Sequence, residues 1–69
     1  MNTWYEKLKH ARVNSGLSQQ AVSDKLGVTR SCYAHYEQGV RELPLNLIKP
    51  LCELLDISAD YLFGLTDIY

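Results

Sequence analysis

The chain has 69 residues, 46% of them hydrophobic, with two cysteines and a formal net charge of −1. That length holds one core, so residues 1–69 are expected to form a single domain, and a chain this short buries only about 60% of its unfolded surface. No apolar run approaches membrane-spanning length, and the N-terminal MNTWYEKLKH lacks the apolar centre of a secretory signal, so a cytoplasmic protein with free thiols is expected.

Thr3 and Glu6 form a T-x-x-E capping box that opens a first helix. Trp4, Leu8 and Ala11 follow at helical spacing and face inward, while Lys7, Lys9 and His10 are expected nearer solvent. Gly16 closes this helix, and Ser18 caps a second one, in which Ala21, Val22 and Leu26 share an apolar face. Leu26-Gly27-Val28-Thr29 then breaks the pattern. Gly27 takes positive φ at little steric cost, Val28 plugs the gap between two helices, and Thr29 caps the third. Beyond Gly39, the residues Ile48, Leu51, Cys52 and Leu55 recur at helical spacing. Pro50 interrupts them: either the helix begins near Asn46 or Leu47, which puts Pro50 close to the first turn, or it is kinked. Ser58 caps a last short helix that Gly64 closes, with Leu62 in the core.

The third helix carries the chemistry. On a wheel of 3.6 residues per turn, Cys32, Tyr33 and Tyr36 fall on one side and suit a core. Arg30, Ser31, Ala34, His35 and Gln38 fall on the other. Arginine can bind guanine through two hydrogen bonds, serine can bond a base or phosphate, alanine can touch a thymine methyl, and histidine can donate in the major groove. For a lone helix, a solvated polar face is the ordinary explanation. The preceding helix and glycine turn reverse that preference, because two short helices joined this way present the second one to DNA.

The segments Gly16-Leu17-Ser18-Gln19, Leu26-Gly27-Val28-Thr29, Tyr36-Glu37-Gln38-Gly39 and Ile57-Ser58-Ala59-Asp60-Tyr61-Leu62 occur in an order and spacing that resembles the Cro/CI-type, lambda-repressor-like or XRE helix-turn-helix family. The resemblance covers roughly residues 4–66, with the motif at residues 17–39. It implies an all-α, compact five-helix fold with the helix-turn-helix at helices 2 and 3, binding double-stranded operator DNA as a homodimer. It further implies base reading by Arg30, Ser31 and His35 with Ala34 as a further contact, phosphate contacts by Gln19 and Thr29, and an ion pair between Arg12 and Glu37. Arg41, just past the third helix, is placed to reach the DNA backbone or to sit as a solvated loop charge.

The net charge looks unfavourable for a DNA binder, since phosphate attraction dominates affinity. Its distribution matters more: residues 1–41 hold six Lys/Arg against three Asp/Glu, a net +3, and residues 42–69 hold one Lys against five Asp/Glu, a net −4. The tail at residues 64–69 follows Phe63 and is rich in large apolar groups, so Phe63, Leu65, Ile68 and Tyr69 are expected either to form a symmetric dimer contact or to fold back on their own domain. Cys32 and His35 make only one close pair of metal-ligand type, with His10 and Cys52 elsewhere, so no metal and no cofactor are expected. A redox role for Cys32 needs an exposed, low-pKa thiolate. No nucleophile–base–acid set and no glycine-rich phosphate loop point to an enzyme or a small-molecule site. Two functions remain open: a sequence-specific transcriptional regulator acting as a repressor, and a protein-interaction module of the same fold, such as an antitoxin or antirepressor.

Overall fold

A computed structural model describes residues 3–68. Five α-helices follow one another: α1 (Trp4–Asn14), α2 (Gln19–Leu26), α3 (Arg30–Gln38), α4 (Leu45–Leu55) and the single turn α5 (Ala59–Leu62). Local side-chain chemistry starts four of them. Thr3 and Glu6 form a reciprocal capping box at α1. Ser18, Thr29 and Ser58 accept the backbone N–H of Ala21, Cys32 and Tyr61 at 3.0, 3.1 and 3.0 Å. Each such cap satisfies a helix-end N–H that has no partner within the helix and contributes about 1 kcal/mol.

α3 packs against both α1 and α2; α5 packs on α1, and α4 lies against α2 and α5. Leu8 and Ala11 of α1, Val22 of α2, Tyr33 and Tyr36 of α3, Leu51 and Leu55 of α4, and Ile57, Tyr61 and Leu62 form the core. Full burial of a leucine contributes about 1.5–3 kcal/mol, so Leu8, Leu51 and Leu62, each at 0% exposure, anchor three separate elements. Val28 in the turn and Trp4 at the start of α1 are half-buried against this cluster. Among the described residues no helix is long and apolar enough to cross a membrane.

Two expectations require correction. Lys7 is not near solvent: it is 7% exposed, its ammonium lies 4.7 Å from the centre of the Tyr61 ring, and it approaches the Asp67 carboxylate at 3.9 Å. Positions 4, 7, 8 and 11 form one helical stripe, so spacing directs Lys7 inward; its methylenes cover apolar surface while the charge meets an aromatic face. α4 begins at Leu45, with the extended Pro44 before it and Pro50 in its interior. The Leu47 N–H donates to the Pro44 carbonyl at 3.0 Å and tightens the first turn. Pro50 cannot donate to the Asn46 carbonyl, and both residues lie on the exposed side of α4.

Candidate nucleic-acid interface

α3 is fixed from its inner side. Tyr33 is fully buried and Tyr36 is 3% exposed; their rings meet edge to face with centres 6.4 Å apart. With that side locked, Arg30, Ser31, His35 and Gln38 are exposed and Ala34 is half-buried between them. The turn before α3 is built by Gly27, which caps α2 in the left-handed conformation at φ 74°. Thr29 is exposed beside Arg30, its hydroxyl engaged as the α3 cap. The face is thus small in the middle, polar along its length and cationic at its N-terminal end, where the helix dipole also favours a nearby anion.

Behind this face lies a charged network. Glu37, 7% exposed, accepts Arg12 Nε at 2.6 Å and Arg12 Nη2 at 3.2 Å. Arg12 Nη1 also donates to the Leu17 carbonyl at 2.8 Å, which ties α1 to the segment leading into α2. Gln19 Nε2 donates to Glu37 Oε1 at 3.1 Å. Burial raises the Glu37 carboxyl, but hydrogen bonds from its neighbours, chiefly Arg12, hold its pKa below the ordinary glutamate value. The same bond raises Arg12 against the lowering effect of burial. The Tyr33 hydroxyl is sealed in beside this network, and burial pushes its pKa far up.

Arg41 is exposed and its Nη1 approaches the Cys32 sulfur at 3.5 Å, while the half-buried Cys32 thiol reaches the Tyr36 hydroxyl at 3.3 Å. Cys32 and His35 therefore lie on different sides of α3, as the wheel predicts. His10 meets the Asn14 amide at 3.1 Å on α1, and burial pushes the Cys52 thiol up. Among the described residues no three His, Cys, Asp or Glu side chains converge on a common point. Phe63, Leu65 and Ile68 are 51%, 78% and 80% exposed; Tyr69 lies outside the described residues. Leu45, at 85% exposed, is an apolar surface residue that sequence periodicity gave no reason to single out. It lines an open groove of about 580 Å³ between α4 and α5 with Ile48, Cys52, Ile57 and Ala59.

The family profile described as helix-turn-helix, HTH_3, matches residues 8–62. The chain belongs to this family. Among helix-turn-helix relatives, it is 44% identical over 57 residues to the HTH-type transcriptional regulator YqaE of Bacillus subtilis (strain 168), an alignment covering 83% of this chain and 49% of that protein. The chain thus spans about half the length of the curated relatives it matches. In fold it is similar to the P22 c2 repressor protein in complex with a synthetic operator, with a TM-score of 0.83, 22% identity, and 91% and 96% of the two chains covered. It is also similar to the restriction-modification controller protein C.AhdI from Aeromonas hydrophila, with a TM-score of 0.78, 33% identity, and 87% and 91% covered. The five-helix helix-turn-helix architecture is that of these two solved proteins, and several of the chain's relatives are HTH-type transcriptional regulators.

Proposed function

We propose that this chain is a sequence-specific DNA-binding repressor that inserts α3 into the major groove of an operator and acts by occupancy. Arg30, Ser31 and His35 read base edges with Ala34 as a further contact; Gln19, Thr29 and Arg41 meet phosphates, and the Arg12–Glu37 pair braces the motif. The observation that carries this reading is the outward row Arg30, Ser31, His35 and Gln38, exposed on a helix whose opposite side is locked by two buried tyrosines. A side chain that reads a base must be free of partners within its own subunit and held on a rigid support. The regulators among its relatives support the same reading.

We further propose a homodimer that uses the exposed Phe63, Leu65, Ile68 and Tyr69, extended by the Leu45–Ile48 groove. The same apolar surface favours the second reading, a module whose main partner is another protein.

Selection of bound duplexes from a random pool, followed by comparison of wild type and Arg30→Ala on the selected and on random DNA, separates these readings. The repressor reading expects salt-sensitive binding and a loss of about 1–3 kcal/mol on the selected duplex, with relaxed preference at one base position. No enriched duplex at about 50 mM salt moves the assignment to a protein partner. An equal loss on both DNAs shows that Arg30 meets phosphate rather than a base.

A further inference from the structure

We propose that Glu37 is a positioning residue for the DNA backbone: it orders the Gln19 side-chain amide so that Gln19 meets a phosphate already fixed in its donating orientation. The inference rests on the reading that Gln19 faces phosphate. Gln19 is the first residue of α2 and is half-buried, and its Nε2 lies 3.1 Å from Glu37 Oε1. An ionised carboxylate only accepts hydrogen bonds, so the nitrogen end of the amide must face it. One amide hydrogen is used there and the second stays available. The Gln19 backbone N–H, in the first turn of the helix, also has no acceptor within α2, and the Ser18 hydroxyl is engaged by the Ala21 N–H. A phosphate oxygen is an acceptor as well, so the amide orientation that Glu37 selects is the one that phosphate needs.

Glu37 suits this task because its charge does not reach the DNA. Its side chain is 2% exposed and the carboxylate is neutralised by Arg12 through two hydrogen bonds. The three residues come from three helices, Arg12 on α1, Gln19 on α2 and Glu37 on α3, and meet at one point. A free glutamine surrenders its rotamer freedom when it binds; this one has surrendered it on folding.

The test measures affinity for a random-sequence duplex at about 50 mM salt, since phosphate contacts carry no sequence information. Wild type, Gln19→Ala, Glu37→Gln and the double variant are compared by fluorescence anisotropy. Gln19→Ala is expected to weaken binding about fivefold, and Glu37→Gln by a similar factor. The double variant is expected to bind no more weakly than Glu37→Gln alone, because an amide at position 37 both donates and accepts and no longer fixes the orientation of Gln19. Losses that multiply in the double variant overturn the proposal. Loss of the Arg12 pair threatens the fold of Glu37→Gln, so a second measurement uses the wild type. Side-chain ¹⁵N relaxation should show the Gln19 amide markedly more ordered than that of the exposed Gln38; equal mobility overturns the proposal. If the wild type binds no duplex, the DNA reading itself falls and this role with it; binding with multiplying losses removes this inference alone.

Discussion

Burial alone would raise the Glu37 carboxyl, yet hydrogen bonds from Arg12 and Gln19 reverse that effect and leave its pKa lowered. In the unfolded chain the group returns to about 4.3. A group depressed on folding contributes stability that is fully present above the unfolded pKa and is lost as pH falls through the folded one. Thermal melts between pH 7 and pH 3 should therefore show an acid-induced fall in Tm that is visibly shallower in Glu37→Gln. At pH 7 the same substitution should lower stability by about 3 kcal/mol, because it strands the Arg12 charge in a mostly buried place. Identical acid slopes in the two proteins would place the sensitivity in other carboxylates. Much of α3 was legible at this scale, since a helical wheel separates Tyr33 and Tyr36 from Arg30, Ser31 and His35. Lys7 was not, because its charge favours solvent while its position in the 4-7-8-11 stripe directs it inward. The Gln19–Glu37 bond joins residues 18 apart in sequence, and no local pattern relates such a pair.

The glycine in the turn of the helix-turn-helix and the glycine at its end do different work. Gly27 and Gly39 both adopt left-handed conformations, at φ 74° and 73°, and both cap a helix. A Cβ on Gly27 would meet nothing within 4 Å, whereas one on Gly39 would come within 2.6 Å of the Tyr5 ring. Gly39 thus lets the end of α3 pass beneath the start of α1, where Tyr5 also stacks edge to face on Trp4 with centres 5.6 Å apart. Gly27→Ala is expected to cost only the left-handed strain, about 1–2 kcal/mol. Gly39→Ala should cost that amount plus a steric contribution, and Tyr5→Ala in the same chain should remove the excess; urea denaturation measures each value. Equal losses for the two glycines would mean that Tyr5 swings aside freely. The helix starts marked by Thr3, Ser18, Thr29 and Ser58 were legible because a cap is a contact between near neighbours in sequence. α4 lacks such a signal: Pro44 precedes it with no side-chain cap, and Pro50 misdirects the reading of its start.

The described residues have Cα extents of 29 × 22 × 20 Å and include a single α3. Two half-sites one DNA turn apart are separated by about 34 Å, so one copy cannot place a recognition helix at both. The cationic charge is also modest, six Lys/Arg against three Asp/Glu in residues 1–41, which limits what a monomer gains from phosphate. Pairing two copies adds the two contacts through effective concentration without further charge. Leu45, Leu65 and Ile68 are exposed apolar residues, and the proposed homodimer would cover them. Sedimentation equilibrium at high micromolar concentration should therefore give a mass approaching twice that of the chain. Leu65→Glu should return it to the monomer with little change in Tm, because a leucine 78% exposed contributes little to its own fold. The same variant should retain binding to an isolated half-site and lose affinity for the paired one. A wild-type monomer that persists when a palindromic duplex is added would leave this surface without a second copy to cover it, and would point to a different protein as its partner.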